Sequence, residues 1–160
     1  MGACYSAYKL KHTTFKTTPF YSLNGLKTDC KVVDVYDGDT ITIVLNINGE
    51  FKKIKCRLNG IDTPELKKNI PNDISIKARN KCIDLITNQR IILNANTVYT
   101  REYIQDILSE LKIKSYVECG DFDKYGRLLI TIYANKSDKL SVNKQLLQLG
   151  LAKEYFGGTK

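Results

Sequence analysis

An α+β fold, a five-stranded Greek-key β-barrel of the OB type with helices packed against it, is the architecture this sequence predicts. Three observations carry the prediction. Residues 31–58 read as a three-stranded meander. Two further strand-like runs, Ser115–Cys119 and Leu128–Tyr133, flank a polar loop at Gly120–Arg127. Helical spacing of apolar residues recurs in three places outside these runs. A meander followed by helix, strand, insertion, strand and helix suits a small closed barrel.

Each element has a local reason. Lys31–Tyr36 is a strand that ends at the turn Asp37-Gly38-Asp39. Thr40–Ile47 follows, with Ile41, Ile43, Leu45 and Ile47 alternating with Thr42, Val44 and Asn46. Asn48-Gly49 is the strongest short hairpin signal in the chain, because both residues tolerate positive φ. Phe51–Leu58 returns as the third strand, and Asp62-Thr63-Pro64-Glu65 is a loop stiffened by Pro64. A helix over about Asp73–Thr87 places Ile76, Cys82, Ile83 and Ile86 on one face, with Asp73 or Ser75 as cap. Arg90–Asn94 reads as a strand, so either it or Ser115–Cys119 completes the barrel. Thr100–Lys112 has helical spacing through Tyr103, Ile107, Leu108 and Leu111. Ser141–Leu149 is a short helix, capped by Ser141 and stopped at Gly150.

Composition narrows the classes of function. The chain has 160 residues, a net charge of +8 and 42% hydrophobic residues. That suits one domain with a real core, and no apolar run approaches the roughly 18–20 residues of a membrane span. The basic excess points to an anionic partner, either nucleic acid or a membrane surface. Only five of the 25 basic residues are Arg. Five cysteines without a CxxC pair, and a single His12, argue against zinc and for reduced thiols. Cys56 and Cys82 fall in apolar-periodic stretches and are expected in the core.

Residues 1–29 show no sustained period and read as a flexible tether, leaving residues 30–160 as the folded domain. The start lacks the features of a signal peptide. Met1-Gly2-Ala3-Cys4-Tyr5-Ser6 fits the myristoylation pattern on Gly2, and Cys4 is placed to carry a palmitoyl chain. Two acyl chains, or one with Lys9, Lys11, Lys16 and Lys27, would hold a membrane surface stably. The expected location is the cytoplasmic face of a membrane.

Three segments concentrate unusual residues at predicted strand ends. They are Asp37-Gly38-Asp39-Thr40, then Arg57 with Asp62-Thr63-Pro64-Glu65, then Asp123-Lys124-Tyr125-Gly126-Arg127. Each alone has a plain structural explanation as a turn or a loop. Together they put two acidic loops and two of the five arginines where a barrel can gather them at one rim. Carboxylates and carbonyls suit a hard cation such as Ca²⁺, and arginine forks suit phosphate.

With Val142–Lys153 added, these segments resemble the staphylococcal nuclease-like (thermonuclease) family in order and spacing over about residues 31–156. The resemblance implies a Ca²⁺ site at Asp39, Asp62 and the carbonyl of Thr63. It implies Glu65 as, or as orienter of, the general base, and Arg57 and Arg127 as the phosphate-neutralising residues. Lys124 and Tyr125 match positions that contact a terminal phosphate, and Phe156 stands where a tyrosine stacks near the nucleotide. The implied activity is sugar-non-specific endonucleolytic hydrolysis of single-stranded or duplex DNA and RNA by a monomer, leaving 3′-phosphates. The N-terminus is similar to that of acylated plant calcium-dependent nucleases. Two departures stand out: extra residues between Arg90 and Asp123, about 95–116, and no counterpart of the last helix of bacterial members. The inserted helix is a candidate substitute for that missing burial. A non-catalytic nucleic-acid-binding module of the same fold and a basic lipid-surface adaptor are the competing readings.

Overall fold

A computed structural model describes residues 2–67 and 72–157, with side chains from Ser6 onward. Strands β1 (Lys27–Val35), β2 (Thr40–Ile47) and β3 (Glu50–Leu58) form the meander, and β5 (Ser115–Phe122) and β6 (Leu128–Tyr133) complete it. The short β4 (Ile61–Asp62) and β7 (Lys153–Glu154) pair separately. The barrel closes in the order β1-β2-β3-β6-β5, with β3 and β6 parallel and every other neighbouring pair antiparallel. Four helices accompany it among the described residues: α1 (Gly2–Lys11), α2 (Asp73–Ile86), α3 (Arg101–Glu110) and α4 (Val142–Gln148). The α+β barrel is therefore the observed fold.

The alternation in β2 does what its sequence requires. Ile41, Ile43 and Leu45 are buried, and they meet Leu58, Leu128, Ile130 and Ile132 inside the barrel. Each such side chain contributes roughly 1.5–3 kcal/mol of burial. Asn48 and Gly49 take φ of 53° and 87°, the left-handed pair that a two-residue hairpin needs. Cys56 and Cys82 are fully buried, as their periodicity predicts.

Four expectations change. Arg90–Asn94 is not a strand, and Ser115–Phe122 closes the barrel instead. Asn88 and Gln89, at φ of 52° and 60°, turn the chain away after α2. Arg79 and Asn80 then hold the connection, through Tyr99 O and through Asn94 O and Thr97 O. The cap of α2 is Asn72 rather than Asp73 or Ser75, its Oδ1 accepting from the Ile74 amide at 2.7 Å. The barrel begins before residue 30: Lys27–Cys30 pair with β5, Leu23 is buried, and Gly25 N donates to Cys119 O. Gly2–Lys11 is helical despite its lack of an apolar period. The side chains of Gly2 and Cys4 lie outside the described residues.

The inserted helix α3 lies against β1. Ile104 and Leu108 are buried there, and Arg101 forks onto the buried Asp34 at 3.0 Å through Nε. The insertion thus covers a barrel face and latches to it. Asn143 of α4 is a second fastening. Its Nδ2 donates to Asn59 O and Ile130 O, and its Oδ1 accepts from Ile132 N. No helix among the described residues is long and apolar enough to cross a membrane.

Candidate active site

The β2–β3 register sets Arg57 opposite Thr40, directly beside the Asp37–Asp39 turn. Asp37 builds that turn, its Oδ1 accepting from the Asp39 and Thr40 amides at 3.1 and 2.7 Å. Gly38 is required there. A Cβ at this position would stand 2.8 Å from Thr63 Cγ2 and 2.9 Å from Ala78 Cβ. The missing side chain is what lets the turn close on the segment Asp62–Glu65. Asp39 Oδ2 then accepts from the Thr63 amide at 2.7 Å, joining the two acidic loops.

Arg57 ties the loops from the other side. Its NH1 donates to Asp39 Oδ1 at 3.0 Å, and its NH2 donates to Asp62 Oδ1 at 2.8 Å and Ile61 O at 3.1 Å. Burial pulls its pKa down, but the Asp39 charge and the Asp62 hydrogen bond outweigh it and raise the pKa. Pairing of β4 with β7, and a bond from Tyr155 N to Gly60 O, bring the end of the chain alongside. The Tyr155 ring consequently lies 5.4 Å from the Arg57 guanidinium.

Arg127 comes from the loop between β5 and β6. Asp123 shapes this loop by accepting from the Tyr125 and Arg127 amides, both at 2.9 Å, and Gly126 turns it with φ of 77°. Asp123 Oδ2 also holds Arg127 Nε at 2.8 Å. Burial opposes the charge of Asp123, yet these donors prevail and lower its pKa. Asp39, Arg57, Asp62, Thr63, Glu65 and Arg127 line one cavity of about 420 Å³.

The other predicted residues sit apart from that lining. Lys124 and Tyr125 stand just beyond it, with Arg127 5.4 Å and Lys124 5.1 Å from the Tyr125 ring. Phe156 is 83% exposed and packs near Gly60, so of these two neighbouring aromatics it is Tyr155 whose ring reaches Arg57. Sequence reasoning also passed over Asp37 as more than a turn residue. Its pKa is pushed up to about 6, first by burial and then by the charge of Asp39. The doubled aspartate around Gly38 was the available signal.

The donor set fits a hard cation. Asp39 and Asp62 offer carboxylates, Thr63 offers a carbonyl, and all are oxygen ligands of the kind Ca²⁺ takes. Thr63 Oγ1 is buried without a hydrogen-bond partner among the described residues. No group of three or more His, Cys, Asp or Glu among the described residues is placed to hold a metal ion by itself. Backbone oxygen and water would therefore have to complete the shell.

The family model for staphylococcal nuclease homologues matches residues 55–160. The chain belongs to this family. The matched stretch contains Arg57, Asp62, Thr63, Glu65 and Arg127, whereas Asp39 precedes it. The chain is also similar to an uncharacterized protein of Methanocaldococcus jannaschii, at 34% identity over 140 residues. That alignment covers 78% of this chain and 58% of the relative, so the chain spans under two thirds of the relative's length. Membership of the family supports a nuclease-like or nucleic-acid-binding role for the barrel.

Proposed function

We propose that the chain is a Ca²⁺-dependent endonuclease that hydrolyses phosphodiester bonds of DNA and RNA with little sequence preference, leaving 3′-phosphates. The observation that carries this reading is the convergence of Arg57, Glu65 and Arg127 with Asp39, Asp62 and Thr63 on one cavity. Pure binding of nucleic acid requires no carboxylate facing two arginines.

A phosphodiester repels nucleophiles, and its transition state gathers charge on the phosphoryl oxygens. Arg57, from the end of β3, and Arg127, from the loop between β5 and β6, approach the cavity and donate to those oxygens. Asp39, Asp62 and Tyr155 hold Arg57 in place, and Asp123 holds Arg127 through Nε, so both guanidinium groups are oriented before a phosphate arrives. Glu65 takes a proton from water as the water oxygen bonds to phosphorus. The bond from phosphorus to the 5′-oxygen breaks, and that oxygen leaves as an alkoxide that takes its proton from solvent water. A hard cation bound by Asp39, Asp62 and the Thr63 carbonyl would supply further neutralisation of phosphoryl charge. Lys124, Tyr125 and Phe156 provide contacts for neighbouring phosphates and bases, and chemistry at phosphate needs no base readout.

The test is cleavage of single-stranded DNA by the full chain with Ca²⁺ and with EGTA. Binding without cleavage under any divalent metal would favour a non-catalytic module. We further propose that Gly2 and Cys4 carry acyl chains that place the enzyme, as a monomer, on the cytoplasmic face of a membrane. Intact-mass measurement of protein made in eukaryotic cells reads this directly, and an unmodified Gly2 would contradict it.

A further inference from the structure

We propose that the outer face of β3 is a track for single-stranded nucleic acid, running from the β2–β3 hairpin into the Arg57 site. This rests on the nuclease reading and adds a path for the strand beyond the scissile phosphate. Cys56 and Leu58 point into the barrel and are fully buried, so Phe51, Lys53, Lys55 and Arg57 share the opposite face. Phe51, Lys53 and Lys55 are exposed. Their partners across the ladder on β2 are Asn46, Val44 and Thr42, with Thr40 opposite Arg57, and none is acidic. The carboxylate on the hairpin, Glu50, is paired with Lys52 on the other face of the strand. Three cations therefore stand in a row, each about 6.6–6.8 Å from the next along the backbone.

That repeat resembles the distance between successive phosphates of an extended single strand. The row ends on Phe51, which is 77% exposed at the hairpin. An exposed ring at the end of a cationic groove is a stacking platform for a base of any identity. From Arg57 to Phe51 the track is about 20 Å long. The partner is thus a strand of repeating negative charge with flat faces, long enough to extend several nucleotides past the cleaved bond. The row is linear and one strand wide, a shape that suits a chain better than a lipid surface.

The experiment measures binding of a fluorescein-labelled twelve-nucleotide thymidine strand to the full chain in EGTA across a salt series. The proposal predicts that K53A/K55A weakens binding about tenfold or more at low salt. It also predicts that the slope of log affinity against log salt flattens by about 1.4, about 0.7 per lost phosphate contact. Phe51→Ala should weaken binding about tenfold while leaving the slope unchanged. Hydrolysis of a dinucleotide with a single phosphodiester, which has no second phosphate to place on Lys55, should keep its wild-type rate in both variants. The lysine-to-glutamine pair K53Q/K55Q should repeat the slope change with an unaltered thermal midpoint. Unchanged affinity and slope in the lysine variants would overturn the track, as would loss of binding to phosphatidylserine vesicles in their place. If no substrate is cut while the slope still falls, the hydrolase reading fails and the track stands.

Discussion

The guanidinium of Arg57 donates to Asp39 across 3.0 Å, although 18 residues separate the two in the chain. Through this contact an arginine at the end of one strand fixes the acidic turn at the start of its neighbour. The same guanidinium reaches Asp62, so one side chain spans both loops of the candidate cation site.

Arg57→Lys should therefore be far from conservative. A lysine is a point charge that cannot bridge Asp39 and Asp62 while also donating to phosphate. The expected loss is at least ~10²-fold in kcat, the scale of losing one oxyanion donor. Steady-state cleavage of a single-stranded oligonucleotide measures it.

Glu65→Gln separates chemistry from folding. Glu65 is exposed, so its loss should change stability by no more than about 0.5 kcal/mol. As general base it should cost ~10²–10⁴-fold in kcat with strand affinity retained. A thermal melt and a binding titration beside the rate assay resolve the two.

Gly38→Ala tests the packing that joins the acidic loops. The new Cβ would press on Thr63 and Ala78 at under 3 Å. Overpacking of this kind costs about 1–3 kcal/mol, read from the urea midpoint. Cation affinity should fall with it, because Asp39 and Thr63 are pushed apart.

Asp37 gives a pH dependence with a definite sign. Its folded-state pKa is raised to about 6, above the ordinary 3.8, mainly by burial. Folding therefore favours its protonated form, and its contribution to stability is lost as pH rises through about 4 to 6. Asp37→Asn keeps an oxygen for the Asp39 and Thr40 amides and removes the charge. Relative to wild type the variant should gain stability across that window, level off above it, and show no gain below about pH 4. Denaturant titrations at pH 4, 6 and 8 check this.

Much of the barrel was legible because its periodicities agree with its turns. Ile41, Ile43 and Leu45 alternate up to Asn48-Gly49, and the structure buries all three. Arg90–Asn94 misled for a physical reason. Ile91 and Leu93 do pack on the core while Ile92 is exposed, so the alternation reports burial, but among the described residues the segment pairs with no strand. The family motifs located Arg57, Asp62 and Arg127 at one rim. They could not distinguish Tyr155 from Phe156, because that choice depends on the two-residue pairing of β4 with β7. Asn143 was one polar residue among several in its helix, beside Lys144, Gln145 and Gln148. It matters through the three backbone groups it satisfies, which no local pattern encodes.

The most direct test of the central claim is the cleavage of a 5′-labelled single-stranded DNA by the full chain, with Ca²⁺ and then with excess EGTA. The account predicts cutting with Ca²⁺ at many positions, products ending in 3′-phosphate, and activity abolished by EGTA. Undiminished cutting in EGTA, or none with Ca²⁺ or Mn²⁺ while binding persists, would contradict it.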